Sequence, residues 1–535
     1  MKRLTGMDAT FLYMETPSQP MHVGAAAILD PSTMEGGYSF ERFRDLVESR
    51  LHLLPPFRRR LVFTPLALHH PVWIEDPDFD IDFHVRRAAL PAPGSLEQLA
   101  EFTADTMARA FDRTKPMWRI WVVEGLENGH VALVCKTHHA AIDGVSGAEL
   151  LVALLDLEAK PAPTAPPTKP WKPDRIPSDL EMVTRAVAEL APFPLKMAKA
   201  LRRTVDMTLS LRQRSREPDT TPPVSPFFQA PRTSFNAAIT PHRSVSFAEV
   251  SLDEIRRVKT ALDCTVNDVV LGICAGALRS YLAGRGELPE EPLVATVPIS
   301  VRSADEKGQL GNRVSVMFAA LATHLDDPLA RIEAIHESTA AAKEQHELIG
   351  ANTLTDWAEF AAPAVFARAA RLYSRLKLAD IHRPAHNLVM SNVPGPQFPL
   401  YCAGATMLAF YPLGPISEGA GLNITVMSYM GKLYFGLLGC RELLPDLDDL
   451  AAALPPALEE LSAAADRAAT VTPIDRSERP PARARGSARA ASPKPTAARP
   501  ARKQATAKAA KAPVKKAAKP ADVAARQTNS AAGSS

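Results

Sequence analysis

The sequence predicts an α/β protein built from two halves. Segments with the apolar pattern of strands come between segments with helical spacing throughout residues 20–465. Pro-rich stretches at 158–178 and 217–233 divide this region near its middle. From about residue 472 the chain is mostly Ala, Lys, Arg, Pro and Ser without apolar periodicity, which predicts a disordered tail.

The elements of the first half follow from turn residues and apolar spacing. Strands are expected where an apolar run is bounded by turn residues or alternates with polar residues, and helices where apolar residues recur every three or four positions. These criteria place strands at 20–30, in short pieces over 71–90, and at 116–125 and 130–137, and helices at 40–51 and 96–110.

The last two of these strands form a predicted hairpin. Glu127-Asn128-Gly129 separates them, and Asn-Gly readily adopts the positive φ angles that a tight turn needs. The hairpin would bring the residues after Thr137 to the end of a sheet.

The second half has the same alternation. Thr265 or Asn267 is expected to cap a buried apolar helix at 269–283. The linker contributes amphipathic helices over 179–215, and the other predicted elements are strands at 245–250, 294–298, 314–322, 387–391, 423–429 and 432–438, and helices at 252–262, within 327–375 and at 446–465.

Composition points to a cytoplasmic protein without a membrane span. The five cysteines are widely spaced among apolar neighbours, as expected of reduced thiols. The N-terminus lacks the apolar core of a signal peptide, and no apolar run reaches the ~18 residues of a spanning helix. Residues 476–535 have 15 Lys and Arg against two acids, whereas residues 1–475 have a net charge of −10.

The stretch 130–144 has the most distinctive side chains. An apolar strand ends in His138-His139-Ala-Ala-Ile-Asp143-Gly144, and a helical pattern follows. A neutral imidazole can take a proton from a hydroxyl group near pH 7, so His139 is the candidate general base. His138 is expected to pack or form a hydrogen bond, and Gly144 to allow a close backbone approach.

Asp143 is expected to support the loop. A buried carboxylate needs a cation, and Arg302, at the end of another predicted strand, is the expected partner. A metal site at His138, His139 and Asp143 is the competing hypothesis. Neighbouring side chains on an extended chain point apart, which argues against converging ligands, so we expect no metal.

Asn267-Asp268, before the apolar helix, allows two interpretations. The pair can cap the helix, or Asn267 can donate a hydrogen bond to a developing oxyanion, with Asp268 in support. Ser146 lies close to His139 in sequence, but Gly-x-Ser-x-Gly is absent, so direct transfer is simpler than an acyl-enzyme.

The basic tail predicts electrostatic contacts. Lys and Arg in an Ala-Pro background suit anionic lipid or nucleic acid without base readout, and a solubilising tail without a specific partner is the alternative.

Six motifs occur along the chain in a fixed order: Pro116-Met117-Trp118, His138–Gly144, Asn267-Asp268, Pro298-Ile-Ser-Val-Arg302, Asn392-Val-Pro-Gly-Pro396 and Gly421-Leu-Asn-Ile424. The set, in this order, resembles the bacterial wax ester synthase/acyl-CoA:diacylglycerol acyltransferase (WS/DGAT) family. The HHxxxDG motif alone is shared across the chloramphenicol-acetyltransferase-like superfamily, but the set is more specific. The family usually has Leu where this chain has Met117, a volume-conserving difference.

The resemblance implies two chloramphenicol-acetyltransferase-like domains, with mixed sheets and flanking helices, around a central tunnel. The N-terminal acyltransferase domain would span 1–157, the crossover linker 158–235, the C-terminal acyltransferase domain 236–470 and the disordered basic tail 471–535. His139 would then lie at the interface between the domains.

The implied reaction moves a fatty acyl group from acyl-CoA, a co-substrate, to diacylglycerol or a long-chain alcohol without a cofactor. Because these acceptors are insoluble, we expect a protein peripheral to the inner membrane or to lipid droplets. Two alternatives remain at this stage: a condensation-type enzyme with carrier-bound substrates, and a non-catalytic protein of the lipid-droplet or membrane surface.

Overall fold

Two six-stranded mixed sheets form the framework of the chain. The computed structural model describes residues 1–142, 154–191, 230–300, 314–349 and 363–471, with the single residues 197 and 202. The strands are β1 Lys2–Arg3, β2 His22–Asp30, β3 Arg59–Val62, β4 Val72–Glu75, β5 Val85–Ala89, β6 Trp118–Glu124, β7 Val131–His138, β8 Arg243–Ser251, β9 Val294–Ser300, β10 Val314–Ala320, β11 Leu388–Val393, β12 Tyr401–Cys402, β13 Ala405–Leu413, β14 Leu422–Tyr429 and β15 Lys432–Cys440.

Helices cover the sheets. They are α1 Gly6–Met14, α2 Phe40–Arg50, α3 Ile81–His84, α4 Leu96–Ala108, α5 Asp179–Leu190, α6 Leu252–Ala261, α7 Val266–Gly284, α8 Pro328–Ile349, α9 Pro363–Arg375, α10 Leu447–Ala452 and α11 Leu454–Val471. The α/β prediction is confirmed, and most of the predicted strands and helices that lie in the described residues are present with shifted ends. Residues 81–84 are an exception, because they were predicted within the short strands of 71–90 and form the helix α3.

The first sheet has the order β12-β13-β2-β7-β6-β5, parallel only between β5 and β6. Its central strand is β7, paired on both sides. One face packs on α4 through Leu99 against Ala26 and Val134, and the other packs on α2 through Phe43 and Val47. This double cover explains the continuous apolar sequence of β7.

The second sheet has the order β10-β9-β11-β14-β15-β8, and β11 is parallel to both of its neighbours. Helix α7 lies in the largest apolar cluster of the described residues, against this sheet. It is also the one helix, among the described residues, that is long and apolar enough to cross a bilayer, and 72% of its apolar window is buried in the protein. A short sheet, β1-β4-β3, completes the fold.

Among the elements that were not predicted, one helix and one strand matter most for the site and its sheet. Helix α1 was not predicted, because its small and aromatic residues have no clear polar face. Strand β13 was not predicted either, and it pairs antiparallel with β2, Thr406 opposite Asp30 and Leu413 opposite Gly24. The second half of the chain therefore contributes β12 and β13 to the first sheet.

Residues 143–153, 192–196, 198–201, 203–229, 301–313, 350–362 and 472–535 lie outside the described residues. The predicted tail, part of the predicted linker and several site residues fall in these ranges. The predicted domain boundaries remain predictions.

Candidate active site

Strand β7 delivers His139 to the end of the first sheet. His138 is the last residue of the strand, opposite His22 of β2, and a single 3-10 turn, His139–Ile142, follows. The backbone N–H of His139 donates to the Met21 carbonyl (2.8 Å), and that of His138 donates to the Met117 carbonyl (2.9 Å). Backbone bonds on both sides thus fix the adjacent histidines.

The predicted hairpin from β6 to β7 is confirmed, although its loop is longer than a two-residue turn. Asn128 (φ 61°) and Gly129 (φ 70°) have the expected positive φ angles within a 3-10 turn. At the other end, Trp118 stacks between Phe57 (4.2 Å) and His84 (4.5 Å), and its Nε1 donates to the Phe57 carbonyl (2.8 Å). These contacts anchor the start of β6 beside the end of β7.

Met117 supports the histidine turn. It is fully buried in a cluster with Ala140 and Ala141, while its carbonyl accepts the His138 N–H. The Pro116-Met117-Trp118 motif therefore contributes packing and backbone contacts to the turn.

The imidazole of His139 is stacked on Phe11 of α1, with 3.8 Å between ring centroids and 17° between planes. Its Nδ1 is buried without a well-formed hydrogen bond to any described residue. Burial is the main reason that the pKa of His139 is lowered to about 4. At neutral pH His139 is therefore uncharged and able to accept a proton.

His138 has a defined tautomer. The Ala140 N–H donates to its Nδ1 (3.0 Å), so the ring proton of the neutral imidazole is on Nε2. This nitrogen lies 3.4 Å from Oε2 of Glu15, and the side chain is fully buried. His138 thus closes the turn that holds His139.

Glu15 is the buried anion behind this turn. Its Oε1 lies 3.6 Å from Nε2 of His22, and Arg113 forms an ion pair with its Oε2. Burial raises the pKa of the Glu15 carboxyl, but the nearby rings of His138 and His22 and the charge of Arg113 outweigh this and hold the pKa well below its usual range. Glu15 is therefore ionised.

His22 complements this carboxylate as a neutral ring. Burial lowers its pKa to about 3, although Glu15 opposes the shift. Phe11, Glu15, His22 and Arg113 were not identified from the sequence. No sequence spacing connects these residues to His138.

Several predicted site residues cannot be placed. Asp143, Gly144, Ser146 and Arg302 lie outside the described residues, and so does the expected pairing of Asp143 with Arg302.

Asn267 and Asp268 have different environments. Thr265 caps α7 in a capping box with Asp268, as one of the two predicted caps. The Asp268 carboxylate also accepts from Thr339 (2.8 Å) and lies 2.8 Å from Nδ1 of His336. Burial opposes ionisation, but these bonds outweigh it and lower the pKa of Asp268. Asp268 thus fastens α7 to α8, and Asn267, half-buried, remains available for another partner.

Asn267 lies beside the Asn392–Pro396 motif. A small cavity is lined by Asn267, Ser391 and Asn392 with apolar neighbours. A Cβ at Gly395 would come within 2.0 Å of the Ser428 carbonyl, so only glycine fits this turn. Among the described residues, no hydrogen bond or ring contact connects Asn267 to His139.

The sixth motif supports the second sheet. Asn423 donates from Nδ2 to the Pro415 carbonyl (3.0 Å) and accepts from Thr425 (2.7 Å). Within the described ranges, no group of three or more His, Cys, Asp or Glu residues is arranged to hold a metal ion.

Comparison with known proteins gives consistent matches over most of the chain. The profile of the wax ester synthase/diacylglycerol acyltransferase catalytic domain matches residues 4–270, and that of the WS/DGAT C-terminal domain matches residues 310–462. A Mycobacterium tuberculosis protein named as a diacylglycerol O-acyltransferase is 41% identical over 468 residues, which is 87% of this chain and 91% of the relative.

A second protein of that organism with the same activity in its name is 37% identical over 470 residues, 85% of this chain and 98% of its own length. Among solved structures, the wax ester synthase/diacylglycerol acyltransferase of Marinobacter aquaeolei VT8 aligns with a TM-score of 0.61 at 30% identity. The alignment covers 87% of this chain and all of the other.

Proposed function

The chain belongs to the wax ester synthase/diacylglycerol acyltransferase family and is an acyltransferase, and we propose that His139 is the general base of its reaction. The observation that supports this role is the environment of the ring. His139 is fixed by backbone bonds, stacked on Phe11 and kept uncharged by burial.

The proposed reaction is a direct transfer. Nε2 of His139 removes the proton from the acceptor hydroxyl group, because Nδ1 is buried against the protein. The acceptor oxygen attacks the thioester carbonyl of acyl-CoA, and the tetrahedral intermediate expels the CoA thiolate. The imidazolium of His139 returns its proton to that thiolate. The proposal includes no cofactor.

Four further residues have proposed roles. Asn267 is the candidate donor to the oxyanion, since its amide is not needed to cap α7. Asp143 and Arg302 are proposed to hold the loop after His139 as an ion pair, with Gly144 allowing its turn.

The donor and acceptor follow the family. We propose acyl-CoA as donor and diacylglycerol, a long-chain alcohol, or both, as acceptor. Relatives named as diacylglycerol O-acyltransferases cover most of the chain, so the carrier-dependent alternative is set aside. Labelled palmitoyl-CoA offered to both acceptors in competition, with lipid products separated by thin-layer chromatography, measures the preference.

Replacement of His139 tests the mechanism. His139→Ala removes the proposed base, and loss of general base catalysis reduces kcat by roughly 10²–10⁴-fold. Leu157→Ala, at an exposed position of the first half, is the control and keeps normal turnover. Near-normal kcat in a folded His139→Ala protein would eliminate this mechanism.

We also propose peripheral contact with a membrane or lipid droplet through α9 and the turn Pro65–Ala67, which lie together. Apolar side chains are exposed on both, and Leu66 is 88% exposed at φ 56°. The exposed cations of α9 and the residues after it suit anionic headgroups. The apolar set is Leu66, Val365, Leu372 and Leu376, and the cations are Arg368, Arg371, Arg375 and Lys377.

A further inference from the structure

A cavity of about 480 Å³ lies beside the first sheet, on the α4 face. Its walls come from the end of α4, the loop after it, and strands β5, β6 and β7. This volume is within the range of small-ligand sites. Its walls differ from those of a channel for a fatty chain, because four basic side chains line them beside aromatic rings: Arg86, Arg109, Arg119 and Lys136.

Lys136 is built into the wall. It is only 3% exposed, and its ammonium donates to the carbonyls of Thr106 (2.8 Å) and Arg109 (2.6 Å). Nζ also lies 4.5 Å from the ring centre of Phe111. Burial, together with the charges of Arg119 and Arg109, lowers the pKa of Lys136 to about 7. A negative charge in the cavity would therefore stabilise the ammonium.

Arg119 has no carboxylate partner among the described residues. Its Nε is buried without a hydrogen bond, and its guanidinium lies over Phe83 (4.4 Å) and Trp121 (5.7 Å). Burial lowers the pKa of Arg119, and Asp112 offsets this only in part. A buried donor without an acceptor costs stability, so the residue is suited to an anionic ligand.

The acids of the cavity do not neutralise it. Asp105 pairs with Arg109 at its edge, and the Asp112 carboxylate accepts from Thr114. The three guanidinium groups alone outnumber the two carboxylates, so the cavity keeps an excess of positive charge beside the Trp121 ring.

We propose that this cavity binds the phosphorylated adenosine end of the acyl donor, with phosphate on Arg119, Lys136 and Arg86 and the base against the aromatic wall. This inference rests on the proposed use of acyl-CoA. Guanidinium groups pair with phosphate oxygens, and an aromatic ring stacks on a purine. A fatty acyl chain or a glycerol lipid offers neither group.

The cavity is connected to the catalytic turn by ring contacts. Phe111, under Lys136, packs edge-on against His22 (4.6 Å), and His22 faces Glu15 and His138. Phe111 also packs on the cluster that includes Ala140 and Ala141. The nucleotide and the thioester would thus lie on two sides of the packed rings of Phe111, His22 and His138.

The test compares donors with and without the nucleotide. Arg119→Gln removes an unpaired charge, so the protein should fold, and Arg87→Gln is the control, since Arg87 is an exposed neighbour paired with Glu124. We expect Arg119→Gln to raise KM for palmitoyl-CoA, and Kd for adenosine 3′,5′-bisphosphate by calorimetry, roughly tenfold or more. KM for the palmitoyl thioester of N-acetylcysteamine should not change.

Equal effects of Arg119→Gln on both thioesters would overturn the assignment, as would absence of adenosine 3′,5′-bisphosphate binding or an unchanged Kd. Inorganic phosphate, titrated alone, should bind at least tenfold more weakly than the nucleotide, and equal affinity would overturn the role of the aromatic wall. Failure of the proposed function has a different result. A wild-type protein that transfers the acyl group from neither thioester but binds the nucleotide through Arg119 would contradict the proposed reaction and support the nucleotide site.

Discussion

Burial determines the pH range in which His139 can act. An exposed imidazole has a pKa near 6.5, whereas desolvation by the surrounding protein lowers the pKa of His139 to about 4. The folded state therefore prefers the neutral ring, and the stability it gains from that form is lost as pH falls below about 6.5.

The first prediction concerns this pH dependence. If His139 is the base, kcat at saturating acyl-CoA should stay level as pH falls from 8 to 5.5, where a base with the ordinary pKa of about 6.5 would lose roughly tenfold. The measurement is kcat against pH, at saturating acyl-CoA, on protein shown by circular dichroism to stay folded. An acid limb centred near 6.5 would contradict the buried environment of the ring.

The second prediction concerns Glu15. Glu15→Gln leaves Arg113 and two histidines without their carboxylate, so the free energy of unfolding should fall by about 1–3 kcal/mol. Because the variant positions the turn His139–Ile142 less rigidly, kcat should fall while KM for acyl-CoA stays unchanged. Urea unfolding measures the free energy of unfolding, and steady-state kinetics measure kcat and KM. Glu41→Gln, at an exposed position of α2, is the control.

A stable, fully active Glu15→Gln protein would show that the carboxylate does not position the turn. The pairing of this residue with His138 was not predictable, because Glu15 and His138 are far apart in sequence and only the packing of α1 on the sheet end brings them together. His139 was predictable, because its identity, its neighbours and the strand that precedes it are local.

Among the elements, the hairpin was predictable and α1 was not. The hairpin has an Asn-Gly turn between two apolar runs, and both signals act over a few residues. Helix α1 has buried and half-buried residues around most of its surface, so it lacks the polar face from which a helix is predicted. Its role becomes clear only from its contacts with α9 and the histidine turn.

The third prediction belongs to α9. Leu372→Glu with Leu376→Glu places charge in the exposed apolar set, and cosedimentation with phosphatidylglycerol-containing vesicles should weaken by roughly tenfold or more. Leu157→Glu, also exposed but outside this set, should bind as wild type does. Unchanged vesicle binding by the double variant would exclude α9 from the membrane contact.

At the scale of the whole molecule, charge is segregated. The last 60 residues have a net charge of +13, and the rest has −10. Basic segments attract anionic surfaces with about 1 kcal/mol per Lys or Arg near the membrane, and salt weakens the attraction.

The fourth prediction follows from this segregation. A chain ending at Ile474 should lose the salt-sensitive part of its binding to anionic vesicles while keeping its kcat for a short-chain alcohol. Duplex DNA, titrated in parallel, measures the nucleic-acid alternative through the slope of affinity against salt. Equal vesicle affinity of both chains at low salt would show that the tail does not contribute.

The two-part α/β architecture was predictable from strand and helix patterns, but the exchange of strands between its halves was not. A sequence pattern identifies a strand, whereas the partner of its edge depends on the whole tertiary fold. Strands β12 and β13, which follow the Pro-Gly-Pro turn closely, were not predicted. The sequence therefore did not predict that the second half of the chain adds two strands to the first sheet.

That exchange affects the synthesis of the protein. Strand β2 leaves the ribosome early, but its partner β13 is made only after most of the chain, on the order of tens of seconds later at about 5–20 residues per second. Until then one edge of β2 has no native partner, and such an edge can pair with other nascent chains. Holding this edge apart during translation is a task for chaperones, and slow translation before residue 405 would lengthen the exposure.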